Sequence, residues 1–162
     1  MKIEKNKKML LFRYNNYKKT DFITAHRDVL NENGYVWMLK IGKKTSVDKI
    51  KKVMSDGGYL ILRAPKADGS LSYITHFTEI SEDEPDDFAY PEYYDTFLTG
   101  EDSFQFESSS KQWFKLDMIK QLDEKETDKL ILALNGKKVN EVIATTMTAV
   151  MFISCDEDIK FV

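Results

Sequence analysis

The chain has 162 residues, of which 42% are apolar or aromatic and 31% charged, a length and composition that can bury a sizeable core and exclude global disorder. No apolar run approaches the roughly 18 residues of a membrane-spanning helix, and the basic start Met1–Lys8 is followed only by Met9–Phe12, too short for the core of a secretory signal. The net charge is −3 and Cys155 is the only cysteine, which excludes an intramolecular disulfide and makes the reducing cytoplasm the expected location.

In chain order, Met9–Tyr14 reads as a short strand bounded by Asn15 and Asn16. Asp21–Asn33 reads as a helix: Phe22, Ile23, His26, Val29 and Leu30 share one face, and Gly34 stands where a C-terminal cap belongs. Tyr35–Ile41 is apolar or aromatic almost throughout and predicts a buried central strand. A second helix follows Thr45 or Ser46, with Val47, Ile50, Val53 and Met54 on one face, and ends at Gly57 and Gly58. Tyr59–Ala64 and Ser72–Ile80 predict a hairpin turning at Asp68 and Gly69. Residues 81–103, acidic and aromatic with two prolines, predict a long surface loop. Phe104–Glu107 and Trp113–Leu116 read as short strands, and Asp117–Leu134 as helical with a break near Asp123. Lys137–Ala144 adds a helical turn or two, and Thr148–Ser154 a closing strand. No repeat or linker divides the chain, so the expectation is one α+β domain over residues 1–162 with a β core and peripheral helices.

Motifs for catalysis are missing. Neither GxxxxGK[ST] nor GxGxxG occurs, and His26, His76 and Cys155 lack the paired spacings of zinc sites. Asp156, Glu157 and Asp158 directly follow Cys155 and oppose its thiolate, making it a poor nucleophile. The expectation is a protein without catalytic activity, cofactor or metal. The alternative, a site assembled only in three dimensions, would draw on His26 or His76.

Charge is distributed unevenly. Residues 1–66 hold 16 Lys/Arg against 6 Asp/Glu, residues 67–110 hold 12 acids and no base, and residues 111–162 hold 8 bases and 9 acids. A basic segment suits phosphates and an acidic one suits a basic protein surface; in the plainer alternative the two neutralise each other within the fold. Lys40, Lys43, Lys44, Lys49, Lys51 and Lys52 follow Trp37 closely, and Arg63 lies on the next strand. Cations interleaved with aromatics give charge for a nucleic-acid backbone and ring faces for its bases, although Trp37 reads equally as core and the lysines as a solvated helix face.

From Tyr35 onward the order of motifs resembles the EVE domain of the PUA-like superfamily. The opening strand of that family is similar to Tyr35-Val36-Trp37-Met38-Leu39-Lys40, and its Met, Gly-containing turn and apolar strand are similar to Met54–Leu62. A following strand corresponds to Tyr73–Ile80. An Ala-Tyr-Pro-Asp loop is echoed by Ala89-Tyr90-Pro91-Glu92, and a Trp leading into a hydrophobic-Asp strand by Trp113–Asp117. The resemblance covers residues 35–154 and implies a small mixed β-barrel flanked by helices, here with an N-terminal β-α extension over residues 1–34. The Trp-x-Gly-Val-Arg-Asn stretch that helps shape the family's ligand pocket has no counterpart between Ile41 and Val53. The family is associated with recognising modified bases in nucleic acid.

That resemblance and the basic segment together imply a nucleic-acid-binding module that reads a modified or flipped base. Trp37 and Tyr90 would stack on bases, Lys40, Lys43, Lys44 and Arg63 would meet phosphate, or Arg63 a base edge, and Thr75 or His76 would hydrogen-bond a base. The competing expectation is a protein-binding module that uses Glu79–Asp102 to occupy the basic groove of a nucleic-acid-handling enzyme, as phage-type inhibitors do. No membrane partner is expected.

Overall fold

The computed structural model describes residues 1–87, 89–100 and 109–162. By their contacts these fall into two compact units. The first comprises Met1–Asn15, Thr45–His76 and Ile119–Val162, and the second comprises Asn16–Lys44 and Phe77–Met118. The boundary does not coincide with the junction of Gly34 and Tyr35, because residues 16–34 group with the strand that follows them.

In the first unit, Met9, Leu10, Leu11 and Phe12 are buried in succession, which requires cover on both faces of a strand. They form β2 (Met9–Arg13), which pairs in parallel with β4 (Tyr59–Arg63) and antiparallel with β8 (Val150–Cys155). The parallel pair needs a crossover connection. Of the intervening chain, α2 (Val47–Ser55) belongs to this unit and lies against β2, burying Ile50 and Val53. The predicted hairpin forms, with β5 (Ser72–Ser81) antiparallel to β4 and Gly69 left-handed at φ +79° in the turn. On the far side β7 (Leu130–Leu132) pairs with β8. Two short helices, α4 (Glu124–Thr127) and α5 (Val139–Thr145), flank β7 in sequence. The chain ends meet in a ribbon of β1 (Lys2–Ile3) and β9 (Ile159–Lys160).

In the second unit α1 (Phe22–Asn33) begins where the Asp21 carboxylate accepts a hydrogen bond from Thr24 N–H at 2.9 Å. It ends at Gly34, whose φ of +83° lets its N–H reach Leu30 O at 2.7 Å. The helix packs on β3 (Val36–Gly42), which runs antiparallel to the first half of β6 (Ser110–Leu122). A single turn of helix, α3 (Tyr94–Leu98), forms inside the segment expected to be a loop. The core here is aromatic: Trp37, Leu39, Tyr94 and Trp113, with Tyr90, Tyr93 and Phe97 packed against them. Strand neighbours follow the order β3-β6-β5-β4-β2-β8-β7, a mixed sheet whose β5 and β6 each pass from one unit into the other. The architecture is thus α+β.

Three expectations need correction. β3 is buried over Val36–Leu39 but stands at the end of the strand order among the described residues, not at its centre. Residues 117–122 are not helical: β6 continues through Leu122, and the helical part of Asp117–Leu134 is reduced to α4. Ile119 and Leu122, three residues apart, imitate a helical face, but both are buried within a strand, an instance of pairing overriding local propensity. On α2, Val47 and Met54 are 38% and 37% exposed, so the buried stripe is only Ile50 and Val53. The predicted strand Phe104–Glu107 lies outside the described residues. No helix among the described residues is long and apolar enough to cross a membrane.

Candidate functional site

Strands β2 and β4 both end in arginine, and their parallel register sets Arg13 directly opposite Arg63. Residues in register on neighbouring strands point to the same face, and both side chains line one cavity of about 490 Å³ within the first unit. Its other walls are the residues that follow each strand, Tyr14–Asn15 and Ala64–Lys66, and the end of α5 with the loop after it, Ile143–Met147. Backbone bonds fix these walls: Tyr14 N–H donates to Arg63 O at 3.1 Å, Arg13 N–H to Ala149 O at 2.8 Å, and Ala64 N–H to Leu71 O at 2.8 Å.

Each guanidinium is tethered through Nη1. That of Arg13 donates to Thr146 O at 2.7 Å, and that of Arg63 to Ser72 Oγ at 3.0 Å. The Nε of Arg63 and the Oγ1 of Thr146 are buried with no hydrogen-bond partner among the described residues. Burial, and then the positive charge of Arg13, hold the Arg63 guanidinium below its ordinary pKa, while Asp128 and Glu124 act in the opposite sense. Facing like charges destabilise a strand pair, and here two guanidinium groups stand side by side at one cavity, an arrangement suited to an anion. The rest of the wall is mixed: Asn15, Lys66 and Thr145 are polar, and Ala64, Pro65, Ile143, Ala144 and the 93%-exposed Met147 are apolar.

Of the residues singled out in the sequence, Lys49, Lys51, Lys52, Arg63, Thr75 and His76 belong to this unit, and of these six Arg63 alone lines the cavity. Thr75 is fully buried and donates to Leu60 O at 2.8 Å. His76 stands opposite Tyr59, ring centroids 5.4 Å apart. Arg13 escaped notice in the sequence. The available signal was the repeated pattern of an apolar strand closing on arginine, Met-Leu-Leu-Phe-Arg and Tyr-Leu-Ile-Leu-Arg.

Trp37, Lys40, Lys43, Lys44 and Tyr90 belong to the second unit. Trp37 is only 4% exposed and presents no ring face for a base, so the plainer reading of it as core holds. Tyr90 packs on Trp113 at 5.2 Å between centroids, and its hydroxyl donates to Glu84 Oε1 at 2.7 Å. Burial, and then Glu84, raise its phenol pKa. Lys40 Nζ donates to Lys43 O, and Lys44 forms an ion pair with Glu82. Lys115 Nζ lies 3.8 Å from Glu79 and 4.4 Å from the centre of the Tyr35 ring. Lys44 of the basic segment is thus paired with Glu82 of the acidic one.

Cys155 and His26 are both buried. The thiol pKa of Cys155 is raised chiefly by that burial. His26 is fully buried between Phe22 O, 2.7 Å from Nδ1, and the Tyr94 hydroxyl, 2.5 Å from Nε2. Among the described residues no three His, Cys, Asp or Glu side chains gather in a way that could hold a metal. No family model, curated protein or solved structure matches the chain.

Proposed function

We propose that this protein is a non-enzymatic nucleic-acid-binding module that holds phosphate between Arg13 and Arg63. The observation that carries the reading is the register of β2 and β4, which sets two arginines side by side in one cavity. Two guanidinium forks offer donors in the planar geometry that phosphate oxygens accept. The basic balance of residues 1–66 adds attraction for a polyanion. A PUA-like, EVE-like assignment of residues 35–154 accompanies this reading and rests on motif order; the cavity then draws Arg13 from the N-terminal extension. The roles of Trp37 and Thr75 in base recognition fall away, because both are buried in their own cores.

Fluorescence anisotropy with short internally labelled DNA and RNA at low salt tests the proposal. The expected result is measurable affinity that falls at least about tenfold in Arg13→Ala and in Arg63→Ala, equivalent to about 1.4 kcal/mol or more. Undiminished affinity in the double variant, with its fold intact by circular dichroism, rejects the site. Absence of binding to every oligonucleotide rejects the function.

A second reading rests on Glu82, Asp83, Glu84, Asp86 and Asp87, which stand exposed in one stretch and would present an acidic face to a basic protein surface. Retention of a basic partner after all five are neutralised would dismiss it.

A further inference from the structure

We infer that the Arg13–Arg63 cavity takes a phosphomonoester, the terminal phosphate of a nucleic-acid strand, in preference to an internal phosphodiester. This rests on the nucleic-acid reading above and narrows it to one kind of phosphate.

Charge is the first reason. Arg13 and Arg63 face each other in register, and Lys66 stands on the same wall. A phosphomonoester carries between about −1.5 and −2 at neutral pH and has three strong acceptor oxygens, whereas an internal diester carries a single charge and two such oxygens. The dianion neutralises both guanidinium groups and leaves Lys66 to meet the next phosphate along the strand. Asp128 and Glu124 act on Arg63 from their places beside and on α4, and neither lines the cavity.

Shape is the second. The cavity is bounded by two strand ends and by the α5–β8 loop, and its volume of about 490 Å³ falls within the range of roughly 300–1,000 Å³ typical of small-ligand pockets. That is room for one nucleotide. Pro65, Ile143, Ala144 and Met147 supply apolar surface for a sugar and base behind the phosphate. Met147, an adaptable side chain, stands at the cavity almost wholly exposed. Arg13 and Arg63 each use Nη1 for a bond within the protein, which leaves Nη2 of both forks to donate to phosphate oxygens.

The experiment uses the unaltered protein and one internally labelled oligonucleotide in three forms: 5′-phosphorylated, 3′-phosphorylated and without terminal phosphate. The matching nucleoside monophosphates and inorganic phosphate serve as competitors. The expected result is at least tenfold tighter binding of one phosphorylated form, abolished in Arg63→Lys, which keeps the charge but loses the fork. The preferred form tells which end is held. Equal binding of all three forms overturns the inference while leaving the nucleic-acid reading in place. Binding of a nucleoside monophosphate with no binding of any oligonucleotide overturns the nucleic-acid reading and keeps the phosphomonoester as a free nucleotide. Failure of every ligand overturns both.

Discussion

His26 shows how one residue's surroundings set its chemistry. Its ring bridges Phe22 O and the Tyr94 hydroxyl, and that same hydroxyl accepts from Leu39 N–H at 3.1 Å. Burial lowers the imidazole pKa from 6.5 to about 4, against a smaller opposing effect of the Phe22 carbonyl. Tyr93 and Tyr94, whose rings face it, have phenol pKa values raised by burial, so neither titrates in the range where His26 does. The unfolded chain therefore binds the proton more readily than the folded one. The penalty is absent above about pH 7.5, grows as pH falls through 6.5, and levels off below the folded value. Urea unfolding at about pH 7.5 and about pH 5 is expected to show a loss of about 2 kcal/mol between the two, and His26→Leu is expected to remove that difference whatever its own stability. An equal loss in the variant would assign the effect to other groups. Arg63 makes the complementary point about legibility, since its position at the end of a strand was readable. Its meeting with Arg13, at the end of a similar strand, was not, because that depends on a parallel register spanning about fifty residues of sequence.

At the scale of elements, local signals were readable where turn chemistry and periodicity agree. Asp21 and Gly34 bracket α1, Gly57 and Gly58 close α2, and Gly69 turns the hairpin. The second half of β6 and the β1–β9 ribbon were not readable, because their stability comes from partners distant in sequence. The glycines at the two helix ends differ in a way that can be tested. At Gly34 a Cβ would meet nothing within 4 Å, so only the left-handed φ of +83° resists a side chain. At Gly57 the φ is +128°, and a Cβ would stand 2.9 Å from Cε2 of Tyr59. That ring is hemmed by His76 and Phe161, at 5.4 and 5.9 Å between centroids. Gly34→Ala is expected to cost about 1 kcal/mol, and Gly57→Ala about 2–4 kcal/mol as strain and clash combine. Urea midpoints measured side by side decide it: equal losses would show that the Tyr59 ring yields freely.

For the whole molecule, net charge and local charge make opposite demands on a nucleic-acid ligand. The chain is acidic overall, with a pI near 5.5, so any affinity for a polyanion must come from a confined basic site. The pairing of Lys44 with Glu82 and of Lys115 with Glu79 removes further lysines from an extended basic surface, as does the bond from Lys52 to Asp56 at 3.3 Å. An extended surface releases many counterions, and affinity then falls steeply with salt; a site of two arginines and one lysine releases few. For single strands the slope of log K against log salt is about −0.7 per phosphate neutralised, so one phosphate held by Arg13 and Arg63 and the next met by Lys66 predict a slope of about −1.4. A slope near −5 or steeper would require the lysines of residues 40–52 to join the interface and would move the site away from the cavity. Measured alongside Lys66→Ala, which is expected to flatten the slope by about 0.7, the salt series counts the phosphates held and thereby locates the surface that holds them.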